Sequence, residues 1–242
     1  MSLGEHLEEL RRRLIYALSG IGIVTVCCMV FARPLVVFIT QPVRQAVMEL
    51  AGDQNARLLV LTPTEPFVTT IKTAFVVALV ISSPWALYQL WLFVAAGLYR
   101  HERRIVHIFV PFSAVLFLAG TAFSYFVVLR YGLGFLLGFA GLTDDIAEAA
   151  PTLSSAVNFV MMMSVVMGAV FQLPLVMMIL AKVGVVKTQD YTRHWRYAVA
   201  AIFLVAAILT PPDVFTQVMM AGPMIALYWL GVLLAKAACR EA

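Results

Sequence analysis

Six apolar runs divide this chain, most of them as long as a bilayer is thick, and the turns between them are short and charged. They cover about 14–32, 67–97, 104–128, 154–183, 195–209 and 214–235. Hydrophobic residues make up 62% of the sequence and charged ones 12%, where a soluble domain carries roughly 25% charged. A soluble core of this length has no use for so much apolar surface, so the bilayer is the solvent. The expected fold is an all-α polytopic membrane protein, one domain over residues 1–242, with six transmembrane helices.

Several local features refine that picture. Leu3, Leu7, Leu10 and Leu14 recur at helical spacing among charges, which predicts a short amphipathic helix at the interface before the first span. Arg11, Arg12 and Arg13 before an apolar run resemble a signal peptide. Glu5, Glu8 and Glu9, with no small-residue cleavage site after the run, argue for a retained helix instead. Pro34–Leu50 is amphipathic but interrupted by Pro42, and an extended Leu58–Leu61 follows a turn at Ala51-Gly52-Asp53.

Thr64 caps the second span ahead of Pro66. That span would be about 45 Å long, so it tilts or projects, and Pro84 bends it. The third span holds Pro111 and Gly120, and an acidic loop with Asp144, Asp145 and Glu148 follows it. The fourth carries a methionine run and a polar break at Phe171-Gln172-Leu173-Pro174. The fifth is short of the roughly 20 residues a bilayer needs, and Thr210-Pro211-Pro212-Asp213 ends it. The hairpin of helices 5 and 6 is therefore expected to stop short of full depth.

Charge orients the chain. With the N-terminus inside, Arg11–Arg13, Arg100, Arg103, Arg104, Lys182, Lys187, Arg193, Arg196, Lys236 and Arg240 are cytoplasmic, and only Arg33, Arg44, Arg57, Lys72 and Arg130 lie outside. That bias places both termini in the cytoplasm. The net charge of +4 also suits nucleic-acid binding, but clusters at the ends of apolar runs are the membrane pattern. Cys27, Cys28 and Cys239 give no disulfide framework or metal spacing.

Catalytic motifs are missing: there is no GxSxG, no HExxH, no intramembrane acid pair and no phosphate-cradling loop. His6, His101, His107 and His194 read as interfacial filler. Gln172 is a polar amide near mid-span. It either bonds to a neighbouring helix or offers a foothold in a substrate groove, to which Pro174 would expose backbone carbonyls. Glu9 and Glu102 are two carboxylates set among arginines at the cytoplasmic surface. One reading pairs them with Arg12, Arg103 or Arg104. The other has them receive a ligand with two adjacent guanidiniums, each held bidentately.

His6-Leu7-Glu8-Glu9-Leu10-Arg11, Gly97-Leu98-Tyr99-Arg100-His101-Glu102-Arg103-Arg104 and Thr210-Pro211-Pro212-Asp213 together resemble the TatC family, the multi-spanning component of the twin-arginine protein translocase. The resemblance extends over essentially the whole chain, including Thr64–Lys72, Ser83-Pro84 and Gly120–Phe126. It implies a cupped bundle with a periplasmic cap in the bacterial cytoplasmic membrane, acting as a receptor for signal peptides of folded cargo. Glu9 and Glu102 would receive the twin arginines, with Arg11, Leu98, Tyr99 and Arg103 shaping the site. Gln172 and Pro174 would line an intramembrane groove. Gln217 would dock the single-span partners TatA and TatB, and Pro84, Pro211, Pro212 and Asp213 would be structural.

The family also implies self-association, transport driven by the proton-motive force, no enzymatic activity and no cofactor. The sequence departs from the family pattern at Ala96, at Leu129-Arg130 and around Leu227–Trp229. It also has Gln172 where an acid is common, which removes a titrating group but keeps a hydrogen-bonding one. A small secondary transporter with its site at Gln172 is the competing reading, and it would require internally repeated halves that the chain does not display.

Overall fold

The computed structural model describes residues 3–51, 58–97, 103–140, 151–210 and 213–240. The first element, α1 (Leu3–Val30), is a single unbroken helix. The expected interfacial helix is therefore the first turns of the same rod. Nothing between Leu3 and Leu14 breaks a helix, and 28 residues reach about 42 Å, beyond the hydrocarbon core. Only 6% of its most apolar window is buried in the protein, so Ile15, Leu18, Ile23 and Val26 face lipid.

Helix α2 (Ala32–Ala51) corrects a second expectation, because it runs straight through Pro42. Proline has no N–H for the carbonyl four residues back, here Phe38. The Tyr125 hydroxyl donates to that oxygen instead, at 2.6 Å, and its ring stacks on Phe38. A distant side chain thus restores the bond that proline removes.

The next span is two helices, α3 (Glu65–Ile81) and α4 (Ser83–Ala96), bent by 58° at Ser82. Pro84 deprives the Val80 carbonyl of its donor, and the Ser83 hydroxyl fills in at 2.7 Å. Helix α5 (Arg103–Phe123) passes through a π-turn (Ser124–Val128) into α6 (Leu129–Ala140). The helix thus continues twelve residues past the expected end at Val128. Gly132, Gly134, Gly138 and Arg130 disguise this stretch in the sequence.

Helices α7 (Leu153–Val170) and α8 (Leu173–Lys182) meet at the Phe171–Gln172 break. A short α9 (Thr188–Arg193) leads to α10 (Trp195–Leu209), 15 residues long. The last helix, α11 (Val214–Arg240), has 27 residues and outruns the expected end at 235, so of the final pair only α10 is short. Among the described residues, four helical stretches are long and apolar enough to cross a membrane, a fifth if the bent α3–α4 pair counts as one span, and α10 is a shorter apolar helix.

The core lies where α2, α6, α7, α8, α10 and α11 converge. Val43, Leu129, Val157, Met163, Met167, Met220 and Val232 are all buried there. Flexible thioethers suit the uneven gaps between crossing helices. A smaller cluster, Trp91, Ala95, Leu175 and Ile179, joins α4 to α8. Helix α8 packs most extensively on α11, α1 on α3 and α4, and α5 on α7.

The N-terminal ends of α3 and α7 are tied together by Glu65, which is 9% exposed. One carboxylate oxygen accepts the Leu61 N–H at 2.8 Å, the other the Ser154 N–H at 2.7 Å. Leu59 and Thr152 form an isolated parallel bridge beside it, within the segment expected to be extended. Thr64 makes no side-chain capping bond, which corrects the expected cap, and the Glu65 carboxylate serves the first turn of α7 rather than that of α3. Glu65→Gln keeps one acceptor oxygen and presents an NH2 to the other amide. The variant is expected to melt at a lower temperature in detergent, with faster hydrogen exchange at the Leu61 and Ser154 amides. Unchanged exchange at both would show that the clasp contributes nothing.

Candidate functional site

At the opposite end of α3–α4, the N-terminal turns of α1 lie against the C-terminal half of α4. His6 stacks on Phe93 with ring centroids 4.5 Å apart. One turn further on, a Glu9 carboxylate oxygen accepts the Arg13 Nε–H at 2.7 Å. The same guanidinium donates to the Gln89 side-chain oxygen at 3.2 Å. Gln89 is 3% exposed, so it anchors the arginine from below, while the Arg13 and Glu9 side chains keep 21% and 19% of their surface.

Among the described side chains the partner of Glu9 is thus Arg13, not Arg12, while the side chains of Arg103 and Arg104 fall outside the described residues. An i,i+4 pair on one helix face needs no loop closure. Arg12 points elsewhere, its guanidinium 5.9 Å from the Tyr16 ring centre. Arg11 is exposed on the same turns of α1. Leu98, Tyr99 and Glu102 fall outside the described residues, and of Arg103 only its backbone, the start of α5, is described.

The Gln172 site joins three elements. Its amide NH2 donates to the Ser113 carbonyl at 2.8 Å, and the Trp91 indole N–H donates to the Ser113 hydroxyl at 2.9 Å. The Gln172 side-chain oxygen is buried without a partner. The amide is therefore an interhelical strut with one acceptor left over. Pro174 is buried against α11, where a Cβ on Gly231 would come within 3.1 Å of the Pro174 Cα. It packs α8 against α11.

Gln217 donates to the Phe203 carbonyl at 3.1 Å and so links α11 to α10. Asp213 caps α11, accepting the Thr216 N–H at 2.6 Å and bonding the Thr216 hydroxyl with its second oxygen. Pro211 and Pro212 lie outside the described residues, and Pro84 is exposed at the start of α4. Among the described residues, no group of histidine, cysteine and carboxylate side chains is placed to hold a metal.

The family model for the Sec-independent protein translocase protein TatC matches residues 5–223. The chain belongs to the TatC family. Relatives named Sec-independent protein translocase protein TatC include that of Helicobacter pylori strain 26695, 36% identical over 97% of this chain and 87% of its own length. The Escherichia coli K12 protein is 33% identical over 96% and 86%, and that of Aquifex aeolicus 36% over 100% and 97%. A crystal structure of the twin-arginine translocase receptor TatC superposes with a TM-score of 0.83 at 34% identity, covering 97% of this chain and 99% of that one. The all-α polytopic fold expected from the sequence is the TatC fold, and the protein is a multi-pass membrane protein.

Within this TatC chain, sequence reasoning missed three residues. Arg13 is legible from its spacing to Glu9, although charge alone makes it one of three equivalent arginines. Gln89 was hidden in the apolar α4 run, where a lone amide is the one signal available. Glu65 is masked in the sequence by Thr64, which satisfies the usual capping pattern.

Proposed function

We propose that this chain is the signal-peptide receptor and core component of a twin-arginine translocation system. In this reading the N-terminal turns of α1 and the α4–α5 turn face the cytoplasm, as do both termini. The six crossings are α1, the bent α3–α4 pair, α5 to α6, α7–α8, α10 and α11, in a bacterial inner membrane. Adjacent arginines of a signal peptide on folded cargo bind Glu9 and Glu102, with Arg11, Leu98, Tyr99 and Arg103 around them. TatA and TatB dock beside Gln217, receptor chains self-associate, and the proton-motive force drives export. The protein's role is receptor and scaffold, without catalysis.

One observation carries the reading: the partly exposed Glu9 carboxylate already holds a guanidinium, at 2.7 Å from Arg13. A site shaped for one guanidinium accepts another by exchange, and the planar fork distinguishes arginine from lysine. The test is binding of a twin-arginine signal peptide, and of its Lys-Lys counterpart, to membranes carrying wild type, Glu9→Ala or Glu102→Ala. Wild type should prefer Arg-Arg, and each substitution should remove that preference at unchanged protein level. If the preference survives both substitutions, the carboxylates are structural and the receptor site lies elsewhere.

A further inference from the structure

A cavity of about 260 Å³ opens between α2 and the π-turn with α6, far along the chain from the α1–α4 site. Gln41, Gln45 and Glu49 line it from one face of α2, at i, i+4 and i+8. Arg130 faces it from α6. Its wall is fixed by the Tyr125–Phe38 hydrogen bond and ring stack that carry α2 through Pro42. Phe126 and Phe38 stand at its rim, 65% and 50% exposed.

Glu49 and Arg130 share this space, yet make no ion pair with each other or with any other described residue. Arg130 interrupts the apolar helical stretch Phe109–Gly138, and its side chain is exposed. Helix α2 carries Gln41, Gln45 and Glu49 along one face and directly follows the apolar α1, the position of an interfacial helix at headgroup level. One carboxylate, one guanidinium and two amides, open to lipid past two phenyl rings, are complementary to a phosphate and a protonated primary amine joined by a short linker.

We infer that this cavity binds the headgroup of a zwitterionic aminophospholipid. The phosphate sits on Arg130, the ammonium on Glu49, the glutamine amides serve the remaining oxygens, and the acyl chains leave over Phe126. Glu49 disfavours a purely anionic headgroup by repulsion. A choline headgroup has no N–H to give to Glu49 or to the amide oxygens. The site stands apart from signal-peptide binding, and so does its test.

The full chain is purified from nanodiscs holding equal parts of phosphatidylethanolamine, phosphatidylcholine and phosphatidylglycerol, and the retained lipid is counted by native mass spectrometry. Wild type should keep the ethanolamine lipid about tenfold over the other two. Arg130→Gln and Glu49→Gln should each remove most of that preference while melting in lipid-free detergent like wild type. Equal retention of all three lipids, or an undiminished preference in both variants, overturns the site. A tenfold excess of free O-phosphoethanolamine should fail to displace the lipid. Full displacement would make the headgroup alone the ligand and overturn the assignment to a lipid.

Discussion

Gly120→Ala is expected to destabilise the bundle by about 1–3 kcal/mol, the range for overpacking a filled interior. A Cβ at Gly120 would stand 2.7 Å from the Met167 carbonyl oxygen and 2.7 Å from the Phe171 ring. That oxygen is backbone and accepts the Phe171 N–H at 3.0 Å, so it cannot turn aside. The α5–α7 pair has to separate, and with it the π-turn and the α7–α8 break that positions Gln172. Gly168 lies across the same crossing, but a Cβ there meets the tip of the Phe117 ring at 2.8 Å and the Thr121 hydroxyl at 2.9 Å. Those groups have some freedom to move, so Gly168→Ala should cost less. Gly22 and Gly134 have nothing within 4 Å and are the controls. Thermal unfolding in detergent should rank the alanine variants Gly120, then Gly168, then the controls near wild type. If Gly120→Ala melts with the controls, close helix approach is not what this glycine supplies.

The same crossing shows why the order of the apolar helical stretches was legible and their joints were not. Apolar runs and the charged turns between them are local properties, and they determine where helices form. Whether a proline breaks its helix depends on who serves the orphaned carbonyl. At Pro84 the answer is the adjacent Ser83, and the bend falls where the sequence places it. At Pro42 the answer is Tyr125, 87 residues from Phe38, and no local pattern announces it. The run past Val128 was unreadable for a related reason. Gly132 weakens a helix taken alone, and it is the packing of α6 on α2 and α11 that holds the stretch helical.

At the candidate site, the acidic residue was found from charge in an unusual place. Its actual partner was not, because Arg11, Arg12 and Arg13 are equivalent in composition. Only the helical angle selects Arg13, one turn beyond Glu9 and above Gln89.

Replacing Glu9 by glutamine should weaken binding of a twin-arginine peptide by roughly thirtyfold. Removing one member of a hydrogen-bonded charge pair costs about 2–5 kcal/mol when buried, and the 19% exposure of the Glu9 side chain argues for the low end. The companion substitution gives the sign. Arg13 occupies the carboxylate in the free protein, so the incoming guanidinium must exchange with it or share the two oxygens. Arg13→Gln frees Glu9 and deletes a like charge beside the ligand, so it should leave binding as tight as wild type or tighten it about twofold. An exposed i,i+4 pair is worth about 0.3–0.5 kcal/mol, which bounds the gain. Both effects should shrink at high salt, because the site is partly open to solvent. The measurement is peptide affinity in detergent at two salt concentrations for wild type and both variants. Glu9→Gln binding like wild type would remove this carboxylate from the site. A large loss in Arg13→Gln would mean that Arg13 holds Glu9 in its working position rather than competing for it, since a competitor's removal cannot weaken the ligand it excludes.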